Sequence, residues 1–482
     1  MTPTQHGSTQ HGSTQHGSAS SRRDFIRGLS AAGLAASGCS SGPERPPNIL
    51  FLLTDDQRAD ALGCAGNSII QTPNVDRLAE QGVLFENSFV TTSISAVSRA
   101  SFLTGQYART HGIHGFGVSL TAEQHAASYP ALVRAAGYRT GFIGKYVVGR
   151  ELPEDQFDYF KGFAGQGRYF NEVDGRQVHL TEMMGGQALE FLEGCTDETP
   201  FCLSVSFKSP HVQDREAPYF LNDPAYDGLY EDITIPPAAK SDAALPAFLR
   251  DDYEGRIRWE RRFGTEERYQ ESVKRYYRLI SGVDAQVGRI MEALRERGWD
   301  DNTVVIYTGD NGFFLGECGW AGKWLMHEES IRTPLIIRDP RRPETRGTRR
   351  SQQALNIDIA PTIVEMAGIE PPVVMQGRSL VPLVEGQSPD WRAEWFYEHL
   401  FNHKTIPKTE GVRGERWKYT CYIETDPMFE ELFDLEGDPR EEVNLAGAGD
   451  VSDSLAAMRK RWRVWKDRLE SWDGQSAWTD PA

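Results

Sequence analysis

The chain has 482 residues, 39% hydrophobic and 25% charged, a composition that suits a globular protein with ample core for two or three domains. Its formal net charge of −17 excludes general affinity for nucleic acid or anionic membrane surfaces, so an anionic ligand would have to be drawn in by a local basic pocket. The six cysteines, at positions 39, 64, 195, 202, 318 and 421, contain no CxxC pair and no zinc spacing, and a disulfide framework is not expected.

Residues 4–18 are three copies of Thr-Gln-His-Gly-Ser, too polar to form a core, so residues 1–20 read as a disordered spacer. Ser21-Arg22-Arg23-Asp24-Phe25-Ile26 resembles a twin-arginine export signal and is followed by a weakly apolar run to Ala36. Ala36-Ser37-Gly38-Cys39 resembles a lipoprotein cleavage site, without the usual Leu at the Ala36 position. Residues 21–39 are therefore expected to engage the twin-arginine translocase, with lipidation of Cys39 or plain cleavage as the two outcomes. The address would be periplasmic or outer-surface. No later apolar run approaches the ~20 residues of a membrane span, and no transmembrane helix is expected in the mature protein.

From Pro47 onward short apolar runs alternate with helical stretches, the pattern of a mostly parallel sheet covered by helices. Ligands of such sheets gather at the carboxyl ends of the strands. Asn48–Thr54 ends in Asp55-Asp56, and Tyr138–Gly144 ends in Lys145. Phe201–Phe207 ends in Lys208-Ser-Pro-His211, and Thr303–Tyr307 ends in Thr-Gly-Asp310-Asn311-Gly312. Four predicted strands thus bring carboxylates, an amide, lysines and a histidine to what could be one rim.

The stretch Ser95-Ala-Val-Ser-Arg-Ala-Ser-Phe-Leu-Thr-Gly105 predicts a short helix beginning at Ser95 and closed by Gly105. A helix N-terminus favours an anion, and Arg99, one turn further in, adds a forked cation. Cover helices are predicted near 121–137, 183–194 and 266–298. Residues 212–262, rich in Pro, Asp, Tyr and Arg, predict an irregular surface segment able to shape a pocket. Asp358–Gly368 reads as a helix, with Pro371-Pro372 as a boundary. Beyond it, Trp395-Phe-Tyr-Glu, Trp417–Tyr422 and Glu431–Asp434 predict a small antiparallel sheet, closed by a helix near 452–471. Asp55, Asp56, Asp310 and Asn311 form an all-oxygen set, the donors that Ca²⁺ or Mg²⁺ prefers over zinc or copper.

Ser95-x-x-Ser98-Arg99-Ala-x-x-x-Thr104-Gly105 resembles the signature of the type I, formylglycine-dependent sulfatases, and the resemblance runs from about Pro47 to about Leu445. It implies an alkaline-phosphatase-like α/β fold, with a catalytic domain over 46–370 and a C-terminal subdomain over 371–482. It further implies that a sulfatase-maturing enzyme oxidises Ser95 to formylglycine, whose hydrate is the nucleophile. Asp55, Asp56, Ser95, Asp310 and Asn311 would then hold calcium, with Mg²⁺ the lesser candidate. Arg99 would steady the modified residue and the metal. Lys145 and Lys323 would contact the sulfate, and His211 would bind it or protonate the leaving oxygen. Two positions depart from the family pattern: Val97 replaces the usual Pro or Ala, and Val147 replaces a histidine associated with the release of sulfate. His111 and His114 are the nearby histidines that could stand in for it, although a structural role with satisfied ring nitrogens is the expected one for either. The expected activity is hydrolysis of sulfate esters, with sulfated glycans as the candidate class. Two alternatives stand beside it: a phosphate or phosphonate ester hydrolase using unmodified Ser95, and an inactive binding protein for sulfated sugars.

Overall fold

Eight strands form the central sheet: β1 (Asn48–Asp55), β2 (Val83–Phe85), β3 (Arg139–Lys145), β4 (Tyr159–Phe163), β5 (Phe201–Pro210), β6 (Thr303–Gly309), β7 (Leu335–Arg338) and β8 (Thr348–Arg350). The computed structural model describes residues 45–213, 217–238, 240 and 245–481. The histidine repeat, the twin-arginine-like segment and Cys39 lie outside the described residues. Across the sheet the order is β8-β2-β7-β6-β1-β5-β3-β4. All neighbours run parallel except at β7, which is antiparallel to both β6 and β2.

The central strands β1, β5, β6 and β7 read as near-continuous apolar runs because both faces of the sheet are covered there. On one face Leu50, Leu52, Leu203, Val205 and Val305 pack against the helices Pro73–Glu80, Leu180–Glu193 and Glu266–Glu296. On the other Ile49, Phe51, Leu53, Val304 and Ile306 meet the helices Ser95–Thr104, Tyr129–Ala135 and Ile359–Met366. The alternation along β1 assigns odd residues to one layer and even residues to the other.

A second sheet of four antiparallel strands follows: β9 (Glu394–His399), β10 (Thr409–Gly414), β11 (Trp417–Tyr422) and β12 (Phe429–Asp434). The helix Ser452–Ser471 buries Trp465 and Leu469 in the core this sheet shares with Phe89, Tyr107 and Ile331. Residues 46–482 form one compact unit. His327 stands at the join of the two sheets, Nδ1 within 3.1 Å of Lys240 Nζ and Nε2 3.6 Å from Glu431. The five described cysteines are all free thiols.

Two predicted elements differ in detail. The stretch 121–137 is two helices, Ala122–Ala126 and Tyr129–Ala135, because Pro130 in the first turn starts a new helix after Ser128. Among the described residues of 212–262, Pro224–Tyr226 is a single 3-10 turn and regular helix begins at Ala247. Ala247–Arg250 and Glu254–Arg262 are helical, and the second ends in paired arginines suited to a helix C-terminus.

Candidate active site

Strands β6, β1, β5 and β3 are consecutive and parallel, so their carboxyl ends line up. The register places Thr54 opposite Gly309 and Asp55 opposite Pro210, with Gly144 opposite Ser206. The residues that follow, Asp310, Asp56, His211 and Lys145, therefore meet on one rim. Asp56 adopts φ +64°, a left-handed conformation uncommon for a residue with a Cβ and a mark of local strain. Its amide donates to Asp310 Oδ1 at 3.1 Å, and its carbonyl accepts from Tyr276 Oη at 2.7 Å.

Ser95 is the first residue of the Ser95–Thr104 helix, with extended Ile94 as the cap and Gly105 closing the other end at φ +68°. All ten residues of this helix are buried. Ser95 Oγ donates to Asp55 Oδ1 at 3.1 Å and accepts from Lys323 Nζ at 3.3 Å. Arg99 Nε donates to Asp310 Oδ2 at 2.9 Å, and Nη2 lies 3.5 Å from Asp55 Oδ2. Its Nη1 donates to the Lys145 carbonyl at 2.7 Å and also to Ser206 Oγ. One guanidinium thus ties four neighbouring strands to the helix that carries Ser95.

Lys145 Nζ pairs with Asp55 and donates to Gln166 Oε1 at 2.8 Å. Lys323 Nζ pairs with Asp56, and its backbone is fixed from two sides. Tyr253 Oη donates to the Lys323 carbonyl at 2.5 Å, and Tyr397 Oη donates to the Trp324 carbonyl at 2.8 Å. His211 Nε2 stands 3.6 Å from Asp56 Oδ2, while Nδ1 donates to the Val212 carbonyl at 2.7 Å. Asn311 Nδ2 donates to Asp56 Oδ1 at 2.7 Å and to the Gly312 carbonyl at 2.8 Å.

All nine candidate residues from the sequence therefore occupy one buried constellation. Burial works to raise Asp55, yet Lys145, His211 and Arg99 around it hold its carboxyl far below the usual range. Burial raises Asp56 despite Lys323, and burial with Asp55 nearby pushes Asp310 up to about 6. Burial also lowers Lys145, and burial with Lys145 nearby lowers His211.

The donor set fits a hard divalent cation. Asn311 Oδ1 is buried without a hydrogen-bond partner beside three carboxylates, and an orphaned oxygen there suits a metal ligand. Asp55, Asp56 and Asp310 carry three negative charges that Lys145, Lys323 and Arg99 balance with three positive ones. A dication added to that balance leaves the site positive, ready for an anionic ester despite the acidity of the whole chain. Asp55, Asp56 and His211 also stand close enough to share an ion.

His111 is placed elsewhere in function. Buried and pushed down to about 3, it accepts from the Ile113 amide at 3.1 Å and shares a 3.1 Å hydrogen bond with Ser101 Oγ. Among the described residues neither it nor His114 bonds to Ser95, Asp55 or Lys145. Val147 is buried with φ +54°. Sequence reasoning missed Tyr253, Tyr397, Ser206 and Gln166. Their signals were weak, because each acts on a backbone carbonyl, an arginine or a lysine from a segment with no motif.

A serine at a helix N-terminus, a cluster of three carboxylates and an amide, and three cations make a site whose chemistry suits an anionic ester on an α/β sheet. The sulfatase family model matches residues 47–369, and the C-terminal model of N-sulphoglucosamine sulphohydrolase matches residues 316–467. The chain belongs to the sulfatase family and is a sulfuric ester hydrolase with the alkaline-phosphatase-like fold. It is 30% identical to an N-acetylglucosamine-6-O-sulfatase of Bacteroides thetaiotaomicron, over 88% of this chain and 87% of the relative. A structure solved with its substrate D-glucosamine-2-N,6-O-disulfate superposes with TM-score 0.78 at 26% identity, over 89% of this chain and 99% of the other. A phosphonate monoester hydrolase of Agrobacterium radiobacter shares the fold at TM-score 0.71 and 24% identity, over 88% and 96%.

Proposed function

We propose that this protein is an exported sulfatase acting on sulfated glycans or their sugars, of the N-acetylglucosamine 6-sulfate kind. It works through a formylglycine made from Ser95 beside a bound calcium ion. The observation that carries this reading is the position of Ser95 Oγ, within hydrogen-bond reach of both Asp55 and Lys323. The names of the relatives support the substrate class.

Asp55, Asp56, Asp310 and Asn311 would hold the calcium ion, which supplies charge neutralisation for an attacking oxygen and for the sulfuryl oxygens. Oxidation of the Ser95 side chain to an aldehyde removes two hydrogens, and hydration gives a geminal diol. Asp55 orients one hydroxyl toward sulfur, and Arg99 holds Asp55 and Asp310 in place. The attacking oxygen forms its bond to sulfur as the bond to the ester oxygen breaks. Lys145 and Lys323 offset the charge on the sulfuryl oxygens. Lys323 supplies the proton that the departing alcohol takes, because His211 keeps its ring proton on Nδ1, where it donates to the Val212 carbonyl. The second hydroxyl then gives its proton to the neutral Lys323 amine left by that step, 3.3 Å from the Ser95 oxygen, the aldehyde reforms, and the carbon–oxygen bond to sulfate breaks. A plain serine could accept the sulfuryl group but has no second hydroxyl with which to expel it. Export is supported by Arg22-Arg23, and cleavage or lipidation at Cys39 would set a periplasmic or outer-surface address.

The test is peptide mass spectrometry of residue 95 after anaerobic co-expression with a sulfatase-maturing enzyme, alongside sulfate release from N-acetylglucosamine 6-sulfate. A residue two hydrogens lighter than serine, with sulfate released, is the expected result. Unmodified serine with turnover of a phosphonate monoester or phosphodiester would overturn the reading. So would unmodified serine with tight sugar binding and no turnover.

A further inference from the structure

Gln166 combines two properties found together nowhere else in the described site. It is solvent-exposed, yet its side chain hydrogen-bonds a fully buried active-site cation, Lys145 Nζ, at 2.8 Å. A residue with one end in water and the other on Lys145 stands at the opening of the site. The lysine has only donors, so the glutamine atom facing it must be Oε1, and that fixes the orientation of the amide. Nε2 therefore points away from Lys145, and among the described residues it has no protein acceptor.

The loop that carries Gln166 is held in place. It follows β4, and Gly165 and Gly167 take left-handed φ values of +69° and +63°. A Cβ at Gly167 would stand 2.7 Å from the Phe163 ring, so the turn is reserved for glycine. Lys208 Nζ donates to the Gly167 carbonyl at 3.1 Å and sits 4.2 Å from the centre of the Tyr169 ring. Tyr169 Oη donates to the His211 carbonyl at 2.6 Å, and its amide donates to Gln213 Oε1 at 3.0 Å. The loop and the His211 segment are therefore one fixed rim, with Gln166 at its edge.

We propose that Gln166 is a specificity-determining residue. Its Oε1 steadies Lys145 while its Nε2 donates to a hydroxyl or ring oxygen of the pyranose beside the sulfate ester. This rests on the sulfate-ester reading above. It predicts that the site distinguishes a sugar sulfate, which has such an oxygen, from an aryl sulfate, which has none.

The test uses full-length protein carrying formylglycine, with N-acetylglucosamine 6-sulfate and 4-nitrophenyl sulfate as the two probes. Gln166→Leu keeps the size and removes both hydrogen bonds. Gln166→Glu keeps an oxygen for Lys145 but has no N–H. Both variants are expected to raise KM for the sugar sulfate about tenfold relative to the aryl sulfate, the size of one lost hydrogen bond to an uncharged group. The melting temperature of Gln166→Glu should not move, because that side chain keeps an oxygen for Lys145, whereas Gln166→Leu leaves a buried ammonium short of one acceptor and should lower it. Equal changes on the two probes, or a Gln166→Glu protein with the unaltered selectivity, would overturn the proposal while the sulfatase reading stands. Matured wild-type protein that hydrolyses neither probe overturns the sulfatase reading itself, and this inference falls with it. Turnover of the aryl ester alone removes sugar selection and overturns the role of Gln166.

Discussion

Arg99 and Asp310 are 211 residues apart in sequence, yet Nε and Oδ2 lie 2.9 Å apart with both side chains buried. The same guanidinium reaches Asp55 and donates to the Lys145 carbonyl and to Ser206, so its fork geometry holds four strands at once. A lysine there offers a point charge without the fork. Arg99→Lys is expected to lower kcat by a factor on the order of 100, the size seen when one fixed transition-state donor is lost. Steady-state kinetics on the matured enzyme would show it. A loss under threefold would mean that Arg99 only packs.

Cation binding should be visible without turnover. Removing divalent ions with a chelator should lower the melting temperature. Calcium restored to about 100 times its Kd should return roughly 2.7 kcal/mol of stability. Asp310→Ala and Asn311→Ala should abolish that calcium-dependent rise. An unchanged rise in both variants would place the ion elsewhere.

Gly144 precedes Lys145 at φ +95°, and a Cβ there would lie 2.2 Å from both the Ser206 carbonyl oxygen and Met184 Cε. Backbone strain and overpacking together predict that Gly144→Ala costs about 3 kcal/mol or more. The displaced Lys145 should lower activity further. Chemical denaturation and kinetics on the same sample would check both. A stability loss below about 1 kcal/mol would contradict the close packing of β3 on β5.

Burial lowers His111 and His399 alike to about 3, from an ordinary value of 6.5. Each folded-state value is depressed, so each group takes up a proton on unfolding once the pH drops below 6.5. Their contribution to stability is present above 6.5 and is lost as pH falls toward 3. Each should contribute a slope of roughly 1.4 kcal/mol per pH unit inside that window. His399→Leu should reduce the measured slope by that amount between pH 6 and pH 5, read from denaturation midpoints. An unchanged slope would mean that His399 is protonated in the folded state.

Strand tips were the most legible part of the chain, since a buried parallel strand is an apolar run and whatever follows it stands on the rim. Asp55, Lys145, His211 and Asp310 were found in this way. Lys323 follows a two-residue strand, Ala321–Gly322, too short to carry a pattern, and only the motif around it gave it away. Tyr253 precedes a helix rich in arginine and glutamate, which reads as surface. Its role comes from a hydroxyl aimed at one carbonyl, a relation that no periodicity encodes. Gln166 was invisible for the same reason. Its neighbours are two glycines, and its meaning depends on where the loop lands. His111 lies near the signature, and a backbone amide and Ser101 occupy its ring nitrogens, the structural role expected for it.

The helix that begins at Ser95 has no exposed residue along its whole length. A second protein therefore has no handle on that segment once the chain has closed around it. Any enzyme that alters Ser95 must reach it while the polypeptide is still extended, so the folding clock sets the deadline for maturation. A chain that folds early is locked with plain serine, and later exposure to the maturing enzyme should not rescue it.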